Sequence, residues 1–269
     1  MPVVSLEDLA DPRLADYLHL REPSLRMHVE RERGIFTVEG RLSLEALVAS
    51  PYELLSVLVN ADQLSRVAPL VDPAVPVYSL PSREIEQVTG VHFHRGVLAV
   101  AERPPPRPVA EVVAGTRRLL VLESVNDHEN IGALFRNAAA FGVNAVVLDP
   151  TTADPLYRRS TRVSLGHVLR VPFARVDDGG WPAAVDELRS VGCTTVALTP
   201  SADAEPLGSF VAHAPERVAL LLGAEGPGLS AAALASVDRC VRIPMAPGVD
   251  SVNVATAAAI ALSALHGWD

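Results

Sequence analysis

The run Val218-Ala219-Leu220-Leu221-Leu222-Gly223-Ala224-Glu225-Gly226-Pro227-Gly228-Leu229-Ser230 carries two signals in succession. Val218 to Leu222 is a continuous apolar stretch, the pattern of a strand covered on both faces in a parallel sheet. At its end, three glycines within six residues turn the chain. Glycine lets backbone approach a ligand closely and expose its N–H groups. Ser230 has the chemistry of a helix N-cap. As a bare pattern this corner resembles any glycine-rich turn, and a structural turn is the default reading. It sits, however, where open α/β sheets bind ligands, outside the carboxyl ends of their strands.

Working outward, similar apolar runs occur at Arg117–Leu122, Ala145–Leu148, Val168–Val171, Thr194–Leu198 and Cys240–Ile243. Helical patterns separate several of them, at Ile131–Phe141, Pro182–Ser190, Ala231–Val237 and Val252–Leu265. The alternation predicts an α/β fold with a parallel sheet and helices on both faces. Upstream, Arg103-Pro104-Pro105-Pro106-Arg107-Pro108 excludes helix and central strand, because proline fixes φ and lacks a donor. We therefore expect residues 104–108 to be a linker between a domain at 1–103 and another at 109–269.

The first domain alternates on a smaller scale. Ser5 to Asp8 has capping-box spacing and predicts a helix start. Strands are expected at Ile35–Val38, Leu54–Val59, Val75–Leu80 and Gly96–Ala101, with helices at Leu42–Ala49, Asp62–Leu70 and Ser82–Val88. This is a small α/β layer domain.

With 49% hydrophobic residues in 269, the chain can bury a substantial core. No apolar run reaches the roughly 20 residues that span a bilayer, and Met1 to Leu20 lacks the form of a secretory signal. A cytoplasmic protein is expected. Cys193 and Cys240 read as reduced thiols, and no Cys/His cluster has metal-ligand spacing. The net charge of −9 does not exclude a nucleic-acid partner, since RNA responds to local potential. All 23 basic residues are arginine, and Arg158, Arg159, Arg162, Arg170 and Arg175 lie in one stretch without an acidic residue. That stretch fits an RNA-binding surface and a solvated helix face equally well.

Two further corners flank the glycine loop. Asn126-Asp127-His128-Glu129-Asn130-Ile131-Gly132-Ala133-Leu134-Phe135-Arg136-Asn137 opens a helix for which Asn130 is the expected cap. Arg136 stands in an otherwise apolar, small-residue helix, where an arginine usually needs an anionic partner. Ile243-Pro244-Met245-Ala246-Pro247-Gly248-Val249-Asp250-Ser251-Val252-Asn253-Val254 leads into a final helix rich in alanine. Neither a dinucleotide fingerprint nor a Walker sequence is present, which counts against a nucleotide-dependent oxidoreductase.

In this order, the three corners resemble the signature motifs of the SpoU/TrmH family of SPOUT RNA methyltransferases. The resemblance spans about Arg117 to His266 and includes Arg162-Val163-Ser164-Leu165-Gly166. Residues 1–108 resemble more loosely a ribosomal-protein-like RNA-binding domain, through Phe36-Thr37-Val38-Glu39-Gly40 and Gly96-Val97-Leu98-Ala99-Val100.

The resemblance implies a trefoil knot in the C-terminal sheet, a homodimer with shared active sites, and S-adenosyl-L-methionine as cofactor. It implies cofactor contacts at Thr199, Gly223, Glu225, Gly226, Gly228, Ile243, Met245 and Val252. Catalysis would fall to Arg136 with Asn130, Glu225, Ser251 and Asn253, acting on a ribose 2′-OH of RNA, ribosomal RNA being favoured over tRNA. Pro247 stands where the family usually has glycine, with Gly248 one place later, and Val252 replaces a usual leucine. The competing expectation is a non-catalytic RNA-binding or ribosome-assembly factor on the same fold.

Overall fold

The computed structural model describes residues 3–6, 8–92 and 96–266, in two compact units. The first comprises the described residues up to 105 together with 156–170, the second 106–155 and 171–266.

In the first unit, β1 (Val3–Ser5) is followed by α1 (Pro23–Arg33), β2 (Ile35–Glu39), α2 (Arg41–Val48) and β3 (Leu54–Asn60). Then come α3 (Ala61–Val67), β4 (Val77–Leu80), α4 (Ser82–Thr89) and β5 (Val97–Glu102). The five strands form a mixed sheet ordered β1-β4-β3-β5-β2, with β5 antiparallel to both neighbours. The elements expected between Ile35 and Ala101 are all present. The start differs. Ser5 closes a strand, Glu7 lies outside the described residues, and the first helical turn is a 3-10 segment at Pro12–Tyr17 capped by Asp11.

The second unit runs α5 (Val109–Val113), β6 (Arg118–Glu123), α6 (His128–Ala140) and β7 (Ala145–Leu148). The chain then passes through α7 (Arg158–Val163), which belongs to the first unit, and the second unit resumes with β8 (Phe173–Arg175), α8 (Ala184–Ser190) and β9 (Thr194–Leu198). It ends with β10 (Glu205–Pro206), α9 (Leu207–Val211), β11 (Val218–Gly223), α10 (Ala231–Ser236), β12 (Arg239–Arg242) and α11 (Val254–His266). Seven strands lie in the order β10-β12-β9-β11-β6-β7-β8, every neighbouring pair parallel. The apolar runs of β6, β7 and β11 are buried along almost their whole length, as expected for inner strands of a covered sheet.

Two expectations are corrected here. Val168–Val171 is not a strand. Val168 and Leu169 belong to a 3-10 turn after left-handed Gly166, and the edge strand begins after Pro172. In addition, Leu156–Arg170, expected within the C-terminal domain, packs as part of the first unit. There α7 contacts β2, and Arg158 and Arg162 face the buried carboxylate of Glu39. Gly166 is held so close to α2 that a Cβ would stand 2.4 Å from the Ala46 Cβ. Any larger residue there would force α2 away.

No helix among the described residues is long and apolar enough to cross a membrane, and none of their His, Cys, Asp and Glu form a group that could hold a metal.

Candidate functional site

The carboxyl ends of β9, β11 and β12 border a cavity of about 280 Å³. Its wall is apolar at Leu198, Leu222 and Val254, and polar at Thr199, Glu225, Ser251 and Asn253. All eight residues expected to contact a cofactor line it: Thr199, Gly223, Glu225, Gly226, Gly228, Ile243, Met245 and Val252. They come from three separate loops, which the parallel order brings to one edge.

The glycine corner has a steric origin. A Cβ on Gly223 would lie 2.2 Å from the Gly228 carbonyl carbon and 2.3 Å from the Leu229 nitrogen. The chain therefore folds back directly over Gly223, and the Gly228 amide donates to the Ala224 carbonyl at 3.0 Å to close the loop. Ser230 caps α10, as its position suggested, by accepting from the Ala233 amide at 3.1 Å.

Asn253 joins the three corners. Its Nδ2 donates to Asn130 Oδ1 at 2.8 Å and to Glu225 Oε1 at 2.6 Å. Its Oδ1 accepts from the Ala255 and Thr256 amides, capping α11. One side chain thus ties the start of α6, the glycine loop and the start of the last helix. Asn130 is not the cap of α6. Asp127 holds that position, accepting from the Glu129 and Asn130 amides, and leaves the buried Asn130 side chain for Asn253. Gly248 adopts φ +82°, so the left-handed turn after Pro247 falls on the glycine that follows it.

Arg136 is exposed on α6, is not among the residues lining the cavity, and has no hydrogen-bond or ion-pair partner among the described residues. The five arginines between 158 and 175 divide. Arg158 is half-buried against Glu39, and Arg162 lies 3.6 Å from the same carboxylate. Arg175 donates to the carbonyls of Asp149, Pro150, Thr152 and Ala153, fixing the loop after β7. Arg159 and Arg170 are exposed.

Two buried carboxylates at this edge escaped the sequence reading. Asp149, after β7, accepts from the Thr152 and Thr151 hydroxyls and from the Thr152 and Ser124 amides. Burial alone would raise its pKa, but these hydrogen bonds outweigh burial and hold it below the usual value. Glu123 ends β6 and accepts from Ser230 and Trp181. The available signal was a charge at the end of an apolar strand run.

Residues 117–263 match the SpoU rRNA Methylase family. The chain belongs to that family. Over 94% of its length it is 45% identical to a protein of Mycobacterium tuberculosis described as an uncharacterized tRNA/rRNA methyltransferase, covering 88% of that relative. It is 30% identical to the 23S rRNA (guanosine(2553)-2′-O)-methyltransferase RlmP of Bacillus subtilis, over 90% of this chain and 94% of the relative. The fold matches that of an AdoMet-bound rRNA methyltransferase from Sinorhizobium meliloti, with TM-score 0.81, 24% identity and coverage of 98% and 97%. This SpoU family member is accordingly an RNA methyltransferase, and the SpoU match spans all three corners.

Proposed function

We propose that this methyltransferase transfers the methyl group of S-adenosylmethionine to a ribose 2′-OH of ribosomal RNA, as a cytoplasmic homodimer. The observation that carries the reading is the Asn253 amide bridging Asn130 and Glu225 beside a cavity lined by all eight expected cofactor residues. The donor set fits the cofactor. Apolar side chains of Leu198, Leu222 and Val254 suit a purine ring, loop backbone at Gly223 to Gly228 offers hydrogen bonds, and the Glu225 carboxylate suits a cation.

The cofactor, when bound, supplies a methyl group already activated on a sulfonium. The protein therefore has to align a hydroxyl and see one proton removed. Asn253 and Asn130 fix the loops, and Ser251, on the cavity wall, orients the hydroxyl. An arginine guanidinium stays protonated in proteins and is a poor base. The role of Arg136 is to bind the neighbouring phosphate and stabilise the developing alkoxide, the proton leaving to phosphate or water. Since Arg136 does not line its own chain's cavity, we assign it to a site completed by a second copy. The alanine-rich face of α11 suits close packing against another backbone.

The same reading makes the last strands and α11 a threaded, knotted segment and gives the first unit a role in binding RNA. The preference for ribosomal RNA is supported by the Bacillus relative's named activity.

The test is calorimetry with S-adenosylhomocysteine, followed by mapping of 2′-O-methyl groups in total RNA from a deletion strain. Saturable binding and the loss of one ribosomal 2′-O-methyl are expected. Absence of heat at hundreds of micromolar ligand, with RNA binding retained, would instead identify a non-catalytic RNA-binding factor. Light scattering should give about twice the chain mass.

A further inference from the structure

Glu123 is the last residue of β6 and stands opposite Gly223 in the register with β11. It is only 5% exposed, yet it faces no arginine among the described residues. Its partners are three neutral donors. The Ser230 amide reaches Oε2 at 2.7 Å, while the Ser230 hydroxyl and Trp181 Nε1 reach Oε1 at 2.7 and 2.6 Å. Ser230 Oγ also accepts from the Ala233 amide, so its single proton is directed to Glu123.

These bonds close the base of the glycine loop. One limb is seated at Gly223, where the returning backbone leaves no room for a Cβ. The other limb is seated at Ser230, on the Glu123 carboxylate. Between the two seats, Glu225, Gly226 and Gly228 overhang the cavity.

We propose that Glu123 is a positioning residue for cofactor binding, clamping the loop at Ser230 and so setting where its backbone meets the cavity. The proposal rests on the reading of that cavity as the S-adenosylmethionine site. A carboxylate is required because every partner donates. A glutamine would turn its NH2 toward either the Ser230 amide or the Oε1 pair, setting donor against donor.

The experiment uses the full chain and the variants Glu123→Gln and Ser230→Ala. S-adenosylhomocysteine affinity is measured by calorimetry, local opening by amide hydrogen exchange, and turnover with saturating RNA. Glu123→Gln should weaken ligand binding about tenfold or more, the scale of a charge-assisted hydrogen bond left unmade. It should raise the cofactor KM while kcat recovers at saturating cofactor, and speed exchange at residues 226–230 but not in β9. Ser230 is exposed, so Ser230→Ala will fold even if the buried substitution does not. It should produce the same local opening and add little to Glu123→Gln in the double variant. Wild-type ligand binding with unchanged Kd and exchange in both variants would overturn the clamp, as would full additivity. If the wild type binds no ligand, the cavity reading fails, and the clamp still stands or falls by the exchange at 226–230.

Discussion

The two units bury charge in opposite ways. In the first, buried charged side chains meet one another as ion pairs, within a helix or, as Arg158 does with Glu39, between elements. Arg26 and Glu30, one turn apart on α1, are 1% and 2% exposed. Arg26 donates to Glu30 at 2.9 Å, to the Leu18 carbonyl at 3.1 Å and to the Thr37 hydroxyl. Burial pushes the Glu30 carboxyl up, with the adjacent guanidinium opposing it. In the second unit, buried charge meets backbone and neutral donors at the strand ends, as with Glu123, Asp149 and Arg175. Pairs of the first kind fix which elements pack together. Bonds of the second kind fix the shape of loops, and they occur on the edge where the cavity opens. Breaking the buried pair of the first unit should therefore cost the most stability and loosening a loop of the second unit less, while binding and chemistry should respond at the edge that carries the cavity.

The sharpest test of the first half is Arg26→Ala. It strands Glu30 and Thr37 in the interior and should cost about 3–5 kcal/mol in urea unfolding, the range for breaking a buried ion pair. Replacing both partners, as Arg26→Met with Glu30→Leu, should recover most of that, because no charge is left unpaired. A single-variant loss below about 1 kcal/mol would show that the pair does not hold α1.

On the other side of the contrast, Arg136→Ala should leave stability and S-adenosylhomocysteine affinity near wild type. Single-turnover methylation should fall about 10²–10³-fold, the scale of removing one donor from a developing oxyanion. Arg136→Lys should rescue poorly, since an ammonium lacks the planar fork. A near wild-type rate in Arg136→Ala would move the catalytic role elsewhere.

The same contrast explains which parts of the fold the sequence disclosed. The inner strands of the second unit are largely apolar runs, so β7 and β9 lie where the pattern put them, β11 is one residue longer, and β6 is shifted by one residue at both ends. By comparison α1 has no apolar stripe, because the side chains it buries are Arg26 and Glu30, and a pattern of hydrophobic residues could not reveal it. Val168 and Leu169 are apolar for burial in a turn, and apolar content alone does not separate a turn from a strand. At the site, the corners were legible because glycine, proline and capping residues act locally. The Glu123 clamp was not, since its partners lie 58 and 107 positions away. Likewise Glu39, which neutralises part of the arginine stretch, comes from β2, 119 residues before Arg158.

Asp149 offers a smaller effect with a definite sign. Its folded pKa lies below the ordinary 3.8, so it stabilises the fold above that value and loses this contribution as pH falls through the folded pKa. Asp149→Asn replaces one acceptor oxygen with a donor and should cost about 1–3 kcal/mol at neutral pH. The gap from wild type should be constant above about pH 5 and narrow toward pH 3. A gap that widens on acidification would mean that burial, not the threonine and amide hydrogen bonds, governs this carboxyl.

The smallest effect separates arginines that serve the fold from one that faces solvent. Arg175 is held by four carbonyls and Arg158 by Glu39, so neither guanidinium is available to a phosphate without losing those bonds. Arg170 is exposed and has no side-chain partner among the described residues. If the first unit and its inserted segment bind RNA, Arg170→Ala should lower the slope of log affinity against log salt by about 0.7–0.9. Between 50 and 200 mM salt that is a change of only about threefold. It should leave the unfolding midpoint unchanged, because no internal contact is lost. Turnover at saturating RNA should also hold, since a phosphate contact present equally in ground and transition states does not alter kcat. Arg175→Ala should do the reverse, lowering the midpoint by freeing residues 149–153 and leaving the salt slope as it was. Measuring affinity for one ribosomal RNA fragment at four salt concentrations distinguishes the two. A reduced slope in Arg175→Ala with none in Arg170→Ala would mean that the arginine bound to carbonyls in the free protein is the one that turns toward RNA.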